Sequence, residues 1–285
     1  MKALHTYASL EHFLQHFHSE DACIQYLFHQ KWPDGYSCPR CQHTDCYTIA
    51  SRRIPLYECQ SCSHQTSLTV STVMERSRTT LRKWFTAIWF VSRSDKGVNA
   101  VELSSLLHVT YKTAWSMLHK IRRVISQHDT QHTLNGHIDA AFTLYGQSHR
   151  HVASTAISSK QHPFITAVSH PLERNSNTMV KMKLVCRELI TGRRLSPIAY
   201  EQFDTQHSSA NKIRFIPLTS YHQRTQAVPI QNLAKHMSTW LNNTFHGVGA
   251  LHLQMYLDEY CYRLNLEAHH ISTWRHLSML CCQIC

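Results

Sequence analysis

No run of apolar residues in this 285-residue chain approaches the roughly 18–20 that span a bilayer, so no membrane helix is expected. The opening stretch, MKALHTYASLEHFLQHFHSED, carries polar and acidic residues inside its first apolar pattern, which argues against a secretory leader. Internal repeats and low-complexity tracts are absent as well. Charge is scarce, at 16% of residues against 42% hydrophobic. That balance builds a sizeable core and excludes a disordered chain. Acids are scarcer than bases, 18 Asp and Glu against 29 Lys and Arg, which leaves a net charge of +11. Such an excess favours a polyanionic partner, because each phosphate contact releases a condensed counterion. The surplus is uneven: residues 31–130 hold 14 Lys and Arg against 7 Asp and Glu. A solubilising surface is the alternative reading of charge alone.

Cysteine is not scarce. There are 11, an odd number, and four fall into a metal-binding pattern, which fits a reducing cytosol better than an oxidising compartment. A cytoplasmic location is therefore expected. The 24 histidines would make the chain much more basic in mild acid.

The length suffices for one large domain or two to three small ones. Leu10, Phe13, Leu14 and Phe17 recur at helical spacing, and Cys23, Tyr26 and Leu27 continue a second short helix. Pro33 and Gly35 in WPDGY then break the pattern. These features give N-terminal helices over 1–35. Paired cysteines and short alternating segments mark a module over 36–70. Leu81, Trp84, Phe85, Ile88 and Trp89 form the apolar stripe of another helix, and a helical module extends over 78–126. The polar stretch SQHDTQHTLNG reads as a domain boundary. HIDAAFTLYG, PFITAVSH and MVKMKLVCREL then read as strands, residues 196–230 as mixed with one strand at KIRFIPL, and 231–245 and 249–264 as helices. The fold class is thus multidomain α+β. Residues 266–285 are expected to be a C-terminal tail whose three cysteines pack in the structure or respond to redox state.

Cys38 and Cys41 are separated by two residues, as are Cys59 and Cys62, with 17 residues between the pairs. This is the spacing of a structural tetrahedral zinc. Two intervening residues let a tight turn aim both thiolates at one ion, and the metal replaces the core that so short a module cannot build. Cys46, His43 and His64 are nearby with poorer spacing. A closed site of four thiolates is structural, so Zn2+ is not expected to be a catalytic metal.

In KGVNAVELSSLLHVTYKTAWSMLHKIRRVI, Val98, Val101 and Leu106 suit a short inward-facing helix, LHVT a turn, and Thr110 an N-cap. Ala114, Met117, Leu118, Ile121 and Ile125 then line one face of a second helix. Its outer face carries Tyr111, Lys112, Thr113, Ser116, Lys120, Arg122 and Arg123. Two helices joined by a short turn, the second with a basic outer face, form the geometry that enters a major groove of double-stranded DNA. On it Tyr111, Lys112 and Thr113 approach base edges, and Lys120, Arg122 and Arg123 contact phosphates. An amphipathic helical hairpin with a solvated face is the alternative.

The segments CIQYLFHQKWPDGYSCPRC, YECQSCSHQTSLTVSTVME, LRKWFTAIWF and KGVNAVELSSLLHVTYKTAWSMLHKIRRV together resemble the zinc-ribbon DDE transposases of bacterial insertion sequences, over about residues 20–126. WLNNTFHGVGALHLQMYLDEYCYRLN resembles the end of that family's catalytic domain. The resemblance implies an RNase H-like domain over 134–265, in which three polar residues hold two Mg2+ ions for attack on phosphate. The family's first acid lies in L-x-G-x-V-E-V-D-E-T. Aligned on Gly136 and Thr143, that position holds Ala141 here, followed by Phe142. Asp139 stands two residues earlier, one step along the same strand face and displaced by roughly 6–7 Å. The second acid falls on Ile216 if Tyr221 matches the family tyrosine, with Asp204 another acid in the region. The third falls on His236, four residues before Trp240. Alanine and isoleucine cannot coordinate magnesium.

Three readings follow. One is a transposase relative that recognises element-end DNA, is impaired in catalysis and is able to dimerise. A second is an active enzyme with an atypical Mg2+ site built on Asp139, Asp204 and Glu259. The third is a zinc-ribbon transcription regulator. The 238–265 segment argues against the third, and the missing carboxylates against the second. Asp258 and Glu259 are read as a surface or packing pair.

Overall fold

Hydroxyl and amide side chains open most helices of this chain, each accepting a backbone N–H that the first turn leaves unpaired. The computed structural model describes residues 9–93, 96–146, 157–170, 178–192, 194–209, 213–217 and 221–283. Ser9 caps α1 (Leu10–His16), Ser19 caps α2 (Glu20–Lys31), Thr80 caps α3 (Leu81–Ser92) and Asn99 caps α4 (Ala100–Leu107). Thr110 Oγ1 accepts from Thr113 N at the start of α5 (Tyr111–Thr130). Ser196 caps α6 (Pro197–His207). Two longer helices, α7 (Tyr221–Phe245) and α8 (Ala250–Ala268), precede α9 (Thr273–Cys282), which Ser272 caps.

The contacts divide the chain into two compact units, Met1–Val124 with Ser272–Cys285, and Ile125–Ile271. In the first, a three-stranded antiparallel sheet has the order β1 (Cys46–Ile49), β2 (Leu56–Cys59), β3 (Gln65–Ser67). Tyr57 of β2 meets Phe28 of α2 and Trp32, its C-cap, at ring separations of 5.3 and 5.2 Å. Lys31 donates to the carbonyls of Ser67, Leu68 and Val70, so α2 and the sheet are tied by both apolar and polar contacts. Helix α3 is buried along nearly its whole length. Its first two amides, Leu81 N and Arg82 N, are also taken by the Glu20 carboxylate of α2, at 2.8 and 3.1 Å.

The tail expected at 266–285 is not one. Residues 266–268 finish α8 and Thr273–Cys282 form α9, which belongs to the first unit. Trp274 packs there against Phe13 at 4.9 Å and Phe17 at 5.7 Å. Its shortness and its distance in sequence from its packing partners hid this helix. Cys281 and Cys282 are buried in it; burial pushes the Cys282 thiol up to about 12 and Cys281 well above its ordinary range. Thiols of that kind are inert packing groups rather than redox sensors.

The second unit is built on a mixed sheet of order β6 (Met179–Leu184), β5 (His162–His170), β4 (His137–Tyr145), β9 (Arg214–Phe215). The first three strands run antiparallel and β9 runs parallel to β4. Between β6 and α6 lies a small hairpin of β7 (Ile190–Thr191) and β8 (Arg194–Leu195). Alternation along β4 sends Ile138 and Ala140 to one face, where they pack with Ala199 and Phe203 of α6. Ala141 and Tyr145 go to the other face, with Ile230, Ala234 and Met237 of α7 and Leu253 and Leu257 of α8. Helices therefore cover both faces. Strands β4, β5 and β6 fall where the sequence places them, but β6 stops at Leu184, Arg187–Leu189 turn as a 3-10 helix, and of KIRFIPL only Arg214–Phe215 are strand among the described residues. Where 196–230 reads as mixed structure, the chain instead forms α6 and the first ten residues of α7, which contain Pro229. The boundary read at SQHDTQHTLNG falls partly within α5, which runs on to Thr130.

Candidate metal centre and nucleic-acid interface

The two cysteine pairs sit on knuckles with the same backbone design. Gln42 N donates to Cys38 O and Ser63 N to Cys59 O, at 2.9 and 3.0 Å. Cys38 N and Cys59 N donate to His43 O and His64 O, each at 3.0 Å. Each turn closes on a residue in the left-handed region, Gln42 at φ 63° and Ser63 at φ 55°. The ligand atoms of Cys38, Cys41, Cys59 and Cys62 all lie within 4.8 Å of one another. Cys38 Sγ is 3.6 Å from Cys62 Sγ, and Cys41 Sγ is 3.5 Å from Cys59 Sγ. A tetrahedron with Zn–S bonds of about 2.3 Å has edges of about 3.8 Å, so the four sulfurs fit the ion. Burial raises the Cys38 thiol, but the amides of Cys41 and Arg40 and the thiols of Cys62 and Cys41 outweigh it and hold Cys38 at about 6. The His64 amide lowers Cys62, yet burial and the other three thiols push it up to about 12. Four thiolates at this spacing repel one another, and a divalent cation relieves that repulsion. Cys46, His43 and His64 fall outside the cluster.

Around α5 the expected DNA-facing residues divide by burial. Tyr111, Lys112, Ser116 and Arg123 are exposed, and Thr113 is partly so. Trp115, absent from the expected set, is also exposed on this helix and stacks on His119 at 4.8 Å. Lys120 is half-buried and donates to the carbonyls of Val73 and Glu75. Arg122 is a correction. It is 4% exposed, and its Nη2 donates to Val98 O at 3.2 Å. Its place among the apolar residues of the helix turns it inward, away from any phosphate. The turn before α5 uses His108 in the left-handed region as the C-cap of α4, and Lys83 donates to its carbonyl. Residues 76–79 border the first turns of α5 across a cavity of about 350 Å³. Sequence periodicity carried no signal in that irregular segment, although two arginines stand there in MERSRTT.

A family model described as a transposase zinc-ribbon domain matches residues 18–65, which cover α2, both knuckles and the start of β3. Residues 18–65 are thus similar to a transposase zinc ribbon. A curated relative, an uncharacterized protein in the transposable element ISH50 of Halobacterium salinarum, is 28% identical over 110 residues, 38% of this chain. The chain spans 37% of that relative's length. No solved structure matches the chain. By these similarities the chain is transposase-like in its zinc-binding front end.

In the second unit, Ala141 and Ile216 belong to one apolar cluster under α7 and α8. The third matched residue, His236, is exposed on α7. Asp139 is held by Arg214, whose Nε and Nη2 donate to its two oxygens at 2.6 and 2.8 Å. Asp204 lies on α6, which packs on the Ile138 and Ala140 face, whereas Asp139 alternates to the opposite face. The fold therefore does not bring these two acids together. Asp258 and Glu259 are buried, Asp258 paired with Lys183 and Glu259 with Arg263, each at 2.7 Å. Lys183 and the buried Lys181 also grip Asp129, at 2.6 and 2.8 Å. Among the described residues the four cysteines are the one group of three or more potential metal ligands close enough to share an ion.

Proposed function

We propose that this chain is a transposase-like protein that binds element-end duplex DNA through its zinc-ribbon unit and α4–α5, and that its catalytic domain no longer cuts. The observation that carries the DNA half is the transposase-type ribbon beside a basic, exposed helix face of Tyr111, Lys112, Ser116 and Arg123. On this reading α4 and α5 are a helix-turn-helix, with Tyr111 and Thr113 toward base edges and Lys112, Lys120 and Arg123 toward phosphates. The second unit is an RNase H-like domain; its mixed sheet, with a parallel strand beside β4 and helices on both faces, supports that assignment.

Loss of cutting is supported by where the matched positions lie. Two-metal catalysis needs carboxylates converging on ions about 3.5–4 Å apart. Ala141 and Ile216 offer none, and the apolar cluster around them admits no hydrated Mg2+. Asp139 is already neutralised by Arg214.

Labelled duplexes carrying the ends of the chain's own genomic element, incubated with Mg2+ and then Mn2+, test this on a denaturing gel. The expected result is a shift on a native gel with no nick. A metal-dependent nick that vanishes in Asp139→Asn would establish an active enzyme with an atypical site. Shifts that ignore element ends but follow promoter DNA would establish a regulator.

A further inference from the structure

We infer that the cavity between residues 76–79 and the first three turns of α5 is a clamp for a single backbone phosphate of duplex DNA. The inference rests on the DNA-binding reading and deepens it, because two of the four cations that carry it, Arg76 and Arg78, lie outside α5. Arg76, Arg78, Lys112 and Lys120 all line the cavity, and no carboxylate among the described residues does. The nearest acid, Glu75, is turned back on its own loop, where its Oε2 accepts from Ser71 N at 3.0 Å and its Oε1 stands 3.7 Å from Arg76 Nε.

The chemistry of the walls suits an oxyanion. Backbone carbonyls that would repel one are occupied. Arg53, from the loop between β1 and β2, donates to the carbonyls of Arg78 and Thr79 at 3.0 and 3.3 Å. Lys120 commits two of its three protons to Val73 O and Glu75 O, which fixes its charge at one wall. Its ammonium lies 5.8 Å from the ring of Trp84, whose Nε1 is itself anchored on Ser77 Oγ. Arg76 and Arg78 remain exposed at the mouth, as does Lys112 on the first turn of α5.

Duplex DNA is the ligand that this placement fits. A volume of about 350 Å³ admits a phosphodiester and part of its sugar, not a base stack. The mouth adjoins the exposed face of Tyr111 and Ser116, so a backbone phosphate seated there would set the register of α5 on the groove. The ribbon would also serve the same contact, since Arg53 reaches the clamp from the β1–β2 loop.

The test uses the full-length, zinc-loaded chain and a mixed-sequence duplex of about thirty base pairs, titrated between 50 and 200 mM salt. The variants are Arg76→Gln with Arg78→Gln, Lys112→Gln, and all three together. Glutamine removes the charge but keeps a polar side chain and a Cβ at Arg76, whose φ of 58° a glycine would relax. Zinc content and far-UV circular dichroism verify that each variant is folded. One shared phosphate predicts that the plot of log affinity against log salt loses about one unit of slope in the arginine pair. Across that salt range the wild type would lose about three- to four-fold more affinity than the variant. The triple variant should lose no more slope than the pair, because the cations serve one phosphate. An unchanged slope in the arginine pair overturns the clamp while leaving DNA binding intact. A loss near two units overturns it too, since the arginines would then meet separate phosphates. A wild-type chain with no salt-dependent duplex binding would overturn the functional reading itself, and the clamp with it.

Discussion

At the scale of single residues, burial separates side chains that look alike in sequence. Arg122 and Arg123 are neighbours on one basic helix, yet Arg122 is buried against Val98 O and Arg123 is exposed. Helical spacing showed which positions of α5 are apolar. It could not show that loop 96–99 folds over the helix and gives Arg122 an internal acceptor. Arg122→Ala should cost about 1–3 kcal/mol, since it leaves a buried carbonyl without its donor, and should leave the salt slope of DNA binding unchanged. Arg123→Ala should leave the urea midpoint unchanged and reduce that slope by about one. The reverse pattern would return Arg122 to the DNA face. His207 makes a second residue-scale case. Burial, with Lys183 and then Lys181 nearby, lowers its imidazole to about 4. Above the ordinary value of about 6.5 it is neutral whether folded or not. Below that value the unfolded chain takes a proton that the fold refuses, so stability falls as pH drops from about 6.5 and levels off beneath about 4. By pH 5 the loss should reach about 2 kcal/mol. Urea midpoints at pH 7 and pH 5 measure it, and His207→Gln should flatten the dependence. A variant with the same dependence would place the acid sensitivity elsewhere.

Elements were legible in proportion to how local their signals are. The ribbon needs only four cysteines at fixed spacing, and the structure brings those four sulfurs together. Strands β4, β5 and β6 announce themselves through alternation and β-branched content. Helix α6 does not, because its buried stripe is only Ala199 and Phe203. In α7, Pro229 masks continuity that packing of Ala227 and Ile230 sustains. The ribbon's dependence on metal follows from the same locality. Its three strands have three or four residues each and lean on one aromatic cluster. Zinc binding in such modules is worth about 10 kcal/mol or more, which is folding free energy. One zinc per chain is expected by metal analysis, and none in Cys38→Ser with Cys41→Ser. In that variant residues 36–70 should become the first site of limited proteolysis, while the second unit keeps its protection. One zinc retained by the double variant would show that the ligand set is wrong.

On the scale of the whole molecule, the first unit is closed by residues that come last in the chain. Val73 N donates to Cys281 O at 3.0 Å, and Tyr26 Oη shares a hydrogen bond with Ser278 Oγ at 2.8 Å. Gln283 Nε2 reaches Gln30 O, and Trp274 fills the space among Phe13, Phe17, Tyr26 and Phe85. No local pattern can reveal such a partner, because the sequence separation between Tyr26 and Ser278 is 252 residues. The consequence is that a fragment ending before Ser272 exposes the aromatic cluster and leaves α3 without one of its neighbours. Trp274→Ala should cost about 3–5 kcal/mol through the cavity it opens in that cluster. Removal of residues 272–285 should cost more, and DNA binding should weaken with the folded fraction although none of the removed residues lies on α4 or α5. A chain shortened in this way that keeps its melting temperature and its DNA shift would show that α9 is dispensable and that the first unit folds from its N-terminal segment alone.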